Sequence, residues 1–274
     1  MKAFIISGKH TCYFEERPEP RIKNSTDVKV KVKSVGVCGS DILIYEGKHV
    51  LSIGHLRIPG HEFAGEVLEV GGDVDTLKPG DRVVHNPISY CGKCYACRHN
   101  QGNVCSDIVA SGCNCDGGLE EFFIAHKDQW FLIPEWMTWE QATMVEPYTI
   151  AAQCNERGEV TADDVLVVQG GGPIGLVCAD TALHYGATVI LTEIMDGRLQ
   201  LAKEMGVDYI INPNNDDIYE RVMEITKGAG PTVVMDCVGL PSTIPEWLKI
   251  LAPAGRFVAV APVEFVCNGS MLLF

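Results

Sequence analysis

Residues 164–186 read DVLVVQGGGPIGLVCADTALHYG, an apolar strand that runs through a glycine turn straight into a helix. No other stretch limits the fold as tightly. A strand entering a helix in this way opens a βαβ unit, and βαβ units build parallel sheets. Gly170, Gly172 and Gly175 make G-x-G-x-x-G, with Pro173 and Ile174 between the last two. The first glycine permits the tight turn, the second lets backbone approach a pyrophosphate, and the third lets helix pack on strand, with the helix N-terminus facing the anion. Glu193 ends the next apolar strand, where a carboxylate binds both ribose hydroxyls and repels a 2'-phosphate. The expectation is NAD rather than NADP. Arg198 keeps NADP open, unless it lies on a solvated helix face. The plainer alternative is that the glycines only shape a turn and Glu193 is a solvated strand end.

Downstream, TVILTE (188–193), DYIIN (208–212), TVVMD (232–236) and RFVAVA (256–261) supply further apolar strands, with helical RLQLAKEMG and IYERVMEITKG between them. Strands alternating with helices predict a Rossmann-type, doubly wound parallel sheet. The texture before Gln129 differs. VKVKVKSVGV (28–37), EFAGEVLEVG (62–71) and DRVVHNP (81–87) alternate with period two and are punctuated by Gly and Pro, which predicts an all-β, barrel-like domain. Between the two, WEQATMVEPYTIAAQCNER reads as helix. The expected division is a catalytic domain over 1–134, a helical connection over 135–160 and a dinucleotide-binding domain over 161–274.

Chemistry concentrates in the first of these. Cys91, Cys94, Cys97 and Cys105 form C-x2-C-x2-C-x7-C. Four thiolates so close in sequence close a tetrahedral zinc shell and leave no position for water or substrate, so this site is expected to be structural and to pin a poorly cored loop. Cys38, His61 and Glu62 mix sulfur, nitrogen and oxygen donors from separate segments, as a catalytic metal site with an open position does. Glu146, in VEPYT, is a candidate fourth donor, and Asp41 is a carboxylate able to orient a metal-bound imidazole through its other nitrogen. Packed, unligated side chains are the competing reading of this second set. Cys113 and Cys115, near Asp116, suggest a further metal or redox pair, but with one intervening residue and no second pair they are read as a loop beside the zinc lobe. His49, His55, His85, His99, His126 and His184 receive no role.

A formal net charge of -14 disfavours nucleic acid and anionic membranes as partners. No apolar run reaches membrane-spanning length, and no export signal opens the chain. Twelve cysteines, four of them at metal spacing, fit a reducing cytoplasm better than a disulfide scaffold. The expected partner is a small molecule.

GVCGSD, PGHEFAGEV, KPGDRV, CGKCYACRHNQGNVC, VEPYTIAA and GGGPIG together resemble the zinc-dependent medium-chain alcohol and polyol dehydrogenases, within them the sorbitol, L-gulonate and L-threonine dehydrogenase branch. The resemblance spans nearly the whole chain. It implies a GroES-like β-barrel catalytic domain followed by the Rossmann sheet, and a catalytic zinc held by Cys38 and His61, with Glu62 or Glu146 completing the shell in turn with water or substrate. It also implies a proton relay through Ser40, and Thr149 and Ile174 near the nicotinamide. The expected reaction passes hydride from a secondary alcohol of a polyol or sugar acid to NAD and leaves a ketone. The competing readings are an inactive zinc- and nucleotide-binding protein with a regulatory role, and an NADPH-dependent carbonyl reductase. Two departures from the family pattern stand out. Many relatives carry a histidine a few residues after the relay hydroxyl, where this chain has Ile42-Leu43-Ile44-Tyr45. Relatives also continue well past NGSMLLF, so the chain is expected to be C-terminally truncated and to lack the strand that pairs subunits in homo-oligomeric relatives.

Overall fold

The computed structural model describes residues 1–49, 57–262 and 264. The histidine at position 55 and the closing NGSMLLF lie outside the described residues. The chain divides into two compact units, Met1–Glu146 and Pro147–Phe274.

The first unit is built from short strands. In chain order these are β1 (Lys2–Gly8), β2 (Thr11–Glu16), β3 (Asp27–Val35), β4 (Phe63–Val70), β5 (Arg82–His85), β6 (Ile88–Ser89), β7 (Val109–Ala110), β8 (Phe122–His126) and β9 (Trp130–Leu132). Helices α1 (Gly39–Tyr45), α2 (Tyr95–Arg98) and α3 (Trp139–Thr143) interrupt or follow them. The main sheet is antiparallel in the order β8-β3-β4-β5-β9. Alternation in VKVKVKSV places Val28 and Val30 in a core with Phe63, Val67, Val83, Phe123 and Trp130. Period-two patterning with one buried face explains this half.

α4 (Val145–Arg157) begins at the last two residues of the first unit and runs on into the second, followed by β10 (Val165–Gln169), α5 (Pro173–His184), β11 (Thr188–Thr192), α6 (Asp196–Glu204), β12 (Tyr209–Ile211), α7 (Ile218–Ile225), β13 (Val233–Asp236), α8 (Ile244–Ile250) and β14 (Arg256–Ala259). The sheet is parallel throughout, in the order β12-β11-β10-β13-β14. β10 sits at the point where strand order reverses, and in open α/β sheets ligands bind outside the carboxyl end of such a strand. Leu166, Val167 and Val168 of β10 are fully buried, as a central strand covered on both faces requires.

The helical stretch 139–157 is two helices, not one. Pro147 has no N–H to give, and its ring would clash with the carbonyl four residues earlier, at Thr143. α3 accordingly stops at Thr143, and α4 restarts with Pro147 in its first turn, where a missing donor costs nothing.

Candidate active site and metal centres

Cys91, Cys94, Cys97 and Cys105 converge as the spacing predicts, with their sulfurs mutually within 4.8 Å. Sulfur separations are 3.4 Å for Cys94–Cys97, 3.8 Å for Cys94–Cys105 and 4.0 Å for Cys91–Cys97. A tetrahedral zinc with Zn–S bonds of about 2.3 Å needs sulfurs about 3.8 Å apart, so the set fits that ion. None of the four is in a disulfide. Backbone N–H groups of Cys97 and Ser106 hold the Cys94 thiol down to about 6, which supplies the thiolate that ligation requires. The Cys105 sulfur accepts from the N–H groups of Cys91 and Asp107, which orients it inward.

The second set is assembled by two strand boundaries. Cys38 precedes α1, just after β3 ends, and His61 and Glu62 immediately precede β4; β3 and β4 are paired through Val35 and Phe63. The ligand atoms of Cys38, His61 and Glu62 lie within 4.8 Å of one another. Donors at about 2.0–2.3 Å from a common ion fall in this range, so the set fits zinc in both spacing and chemistry. Glu146 is outside it, in the first turn of α4, yet close enough to feel His61 and Glu62. Burial raises the Glu146 carboxyl above the usual range, and His61 opposes that rise. Burial likewise raises Glu62, against His61 and a hydrogen bond from Cys38. Burial disfavours the His61 imidazolium, but hydrogen bonds with Cys113 and then Cys38 outweigh it and push the ring up to about 11.

Asp41 does not orient the imidazole by a hydrogen bond. Its Oδ1 is 4.0 Å from His61 Nδ1, which has no hydrogen-bond partner. The two carboxylate oxygens instead accept N–H groups of Cys38 and Gly60, at 2.9 and 3.1 Å. Asp41 therefore ties the two ligand segments together rather than touching the ring. The Ser40 hydroxyl, two residues from Cys38, is buried without a partner.

Cys113 is the residue that sequence reading passed over. Its loop is locked to the segment before His61, with Gly117 N–H donating to Ile58 C=O and Gly118 N–H to Gly60 C=O, both at 2.8 Å. A Cβ on Gly117 or Gly112 would fall 2.2 or 2.7 Å from the Gly60 carbonyl oxygen, so only glycine permits this approach. Nothing in the local sequence signals the meeting of Cys113 with His61.

In the second unit, Gly170 adopts φ +99°, and Gly172 caps α5 with Pro173 as its first residue. A Cβ on Gly175 would come within 1.8 Å of the Gly170 carbonyl oxygen, which is the close helix–strand approach expected of the third glycine. Ile174 packs partly buried against the main core, and Thr149 lies on α4. Glu193 is buried just beyond β11. Its Oε2 accepts from Gly171 N–H at 2.9 Å and from Arg198 Nη1 at 3.3 Å, and its Oε1 from the N–H groups of Ile194 and Met195. Arg198 is thus half of an ion pair, not a free surface cation. Burial opposes the Glu193 carboxylate, but these donors hold its pKa below the usual value.

Among the described residues no helix is long and apolar enough to cross a membrane. Comparison with known proteins adds the lineage. Residues 24–135 match the alcohol dehydrogenase GroES-like domain family, and residues 173–273 match the zinc-binding dehydrogenase family. The sorbitol dehydrogenase of Halalkalibacterium halodurans is 36% identical over 95% of this chain and 76% of its own length. The crystal structure of the alcohol dehydrogenase rspB from Escherichia coli, complexed with NADH, is 34% identical and superposes with a TM-score of 0.88 over 97% of this chain and 79% of that one. Galactitol-1-phosphate dehydrogenase from Escherichia coli is 25% identical with a TM-score of 0.91, over 99% and 79%. With two family models that together cover most of the chain and relatives above 30% identity, the chain belongs to the zinc-dependent medium-chain alcohol and polyol dehydrogenases.

Proposed function

We propose that the chain oxidises a secondary hydroxyl of a polyol or sugar acid to a ketone, with NAD as hydride acceptor and one proton released. The observation that carries this reading is the mixed donor set of Cys38, His61 and Glu62, with the buried Ser40 hydroxyl beside it. Sorbitol and galactitol phosphate dehydrogenases among the relatives support the polyol class.

In this reading Cys38, His61 and Glu62 hold a catalytic zinc, with Glu146 near enough to replace Glu62 or a water. Zinc bound there supplies Lewis acidity that lowers the pKa of a coordinated hydroxyl toward neutrality. Ser40 Oγ, unpartnered in the structure, relays the hydroxyl proton, accepting it as its own proton passes on toward solvent. Asp41 fixes the distance between the Cys38 and His61 segments, and so the spacing of the donors. Cys91, Cys94, Cys97 and Cys105 hold a second, structural zinc. Gly170, Gly172, Pro173, Ile174 and Gly175 receive the pyrophosphate at the start of α5, Glu193 and Arg198 lie at the adenosine ribose, and Thr149 lies toward the nicotinamide. NAD is favoured over NADP because Glu193 presents a carboxylate there and occupies the nearest cation, Arg198.

The test is NADH formation at 340 nm across a panel of polyols and sugar acids, by protein carrying two zinc ions. Cys38→Ser should abolish turnover and remove one zinc while leaving the other. Activity that survives Cys38→Ser, or wild-type protein inert to the whole panel with both cofactors, would overturn the reading.

A further inference from the structure

Among the described residues Arg57 is the one buried arginine, only 6% exposed. Its Nε has no hydrogen-bond partner, and no ion pair joins its guanidinium to a described residue. A guanidinium cannot shed its proton, and of its three nitrogens only Nε is enclosed without a partner, so the two terminal nitrogens keep the residue's small exposed surface and stay open to an anion. The carboxylates in its neighbourhood are already engaged. Asp41 accepts from Cys38 and Gly60, Asp116 accepts from Ile58 N–H and pairs with Arg17, and Glu62 belongs to the metal set.

Its backbone position is fixed, a short stretch of chain before His61. Arg57 exchanges both backbone hydrogen bonds with Ile6 of β1, at 2.8 and 3.0 Å, and Ile58 is pinned beside it in the small core with Ala3 and Ile5. Three residues separate it from His61, a contour of at most about 14 Å between Cα atoms, which two side chains and a five- or six-carbon chain can bridge. The Arg57 charge also reaches inward. It acts on Cys115, in the loop whose Cys113 bonds His61, and on His49, which in turn feels His61 and Asp41.

We infer that Arg57 is the anion anchor of the substrate site, taking the charged head group, carboxylate or phosphate, of a polyhydroxy chain whose secondary hydroxyl lies at the Cys38–His61–Glu62 set. The inference rests on the proposed dehydrogenase reading and narrows it to anionic substrates. The planar guanidinium fork suits either head group, because both present paired oxygens to two parallel N–H donors.

The test compares wild type, Arg57→Met and Arg57→Gln as the full zinc-loaded chain. The probes are gluconate for the carboxylate, glucitol 6-phosphate for the phosphate, and sorbitol as the neutral control. Wild type should show lower KM for one or both anionic compounds than for sorbitol. Both variants should raise the anionic KM by about 10- to 100-fold, the loss of one or two charge-assisted hydrogen bonds, and leave that of sorbitol unchanged. The larger effect, on gluconate or on glucitol 6-phosphate, names the head group. Thermal unfolding separates anchoring from mere packing. Arg57→Met without ligand should melt at or above the wild-type temperature, since an enclosed, unpartnered Nε and a cation with no ion pair have been removed, and should lose the thermal shift given by the anionic probes. A lowered melting temperature with the anion shift intact, or equal KM for sorbitol and both anions in wild type, overturns the inference while leaving the dehydrogenase reading standing. If no probe is turned over, that reading fails instead, and the thermal shift alone decides Arg57: present in wild type and lost in both variants supports it, absent in wild type refutes it.

Discussion

Acid should destabilise the first unit through His85, and the structure sets the size and window of the effect. The ring is 2% exposed, stacked on Phe63 at 4.5 Å and flanked by Trp130 and Phe123 at 4.8 and 5.1 Å between centroids. Nε2 bonds the Ser111 hydroxyl at 3.0 Å, and Nδ1 has no partner, so a second proton would have nowhere to donate. Burial pushes the imidazole down from 6.5 to about 3. Because the folded pKa is depressed, the unfolded chain binds the extra proton first. The contribution is complete above pH 6.5 and is lost as pH falls toward 3, at about 1.4 kcal/mol per pH unit. Between pH 6.5 and 4.5 the loss is about 2.3 kcal/mol, a large share of an ordinary domain's stability. The control is His85→Phe with Ser111→Ala, which removes the titrating ring without orphaning the buried hydroxyl. Urea unfolding followed by tryptophan fluorescence, at fixed free zinc and at pH 7.5, 6.5, 5.5 and 4.5, gives the difference between wild type and double variant. That difference should be flat above pH 6.5 and then move against the wild type with falling pH; thiolate protonation at the metal sites affects both proteins and cancels. A difference independent of pH down to 4.5 would refute the reasoning.

Cys105→Ser should reduce bound zinc from two ions to one and lower the melting temperature, whereas Cys38→Ser should remove the other ion with a smaller thermal change; elemental analysis with calorimetry checks both. Glu193→Gln should cut the preference for NAD over NADP by about 10-fold, the worth of one charge repulsion near 1.4 kcal/mol, and should loosen the glycine turn by weakening the bond from Gly171; the ratio of the two dissociation constants measures it. Asp164→Asn should destabilise the second unit by about 2 kcal/mol, because Asp164 pairs with Arg256 and accepts from Thr161 and Thr232 at the amino ends of β10, β13 and β14, and urea titration reads the loss directly.

What sequence could reveal follows the range of the interactions. The strand, turn and helix at residues 164–186 and the four clustered cysteines are local patterns, and both elements appear where the spacing puts them. The mixed set of Cys38, His61 and Glu62 needs β3 to pair with β4 across a long connection that contains α1, a pairing that alternation alone does not specify. Cys113 and Arg57 were out of reach. One meets His61 only because Gly112 and Gly117 let two backbones touch, and the other stands out only once every nearby carboxylate is seen to have a partner. α8 was missed for a different reason: PSTIPEWLKI shows a proline and no clear apolar period, but Pro245 sits in the helix's first turn, where it is tolerated. The role of Asp41 was misjudged by distance, since chain spacing cannot tell 4.0 Å from a hydrogen bond.

β3 is the middle strand of its sheet, and Val28 pairs with Val70 on one side and with Ala125 on the other. During synthesis the chain emerges from its N-terminus, so the second pairing has to wait until the whole four-cysteine lobe has left the ribosome. The thiols are therefore exposed to cellular metal before the sheet that will flank them can close. The four-sulfur site can thus gather from its own short stretch of chain before β8 exists to pair with β3.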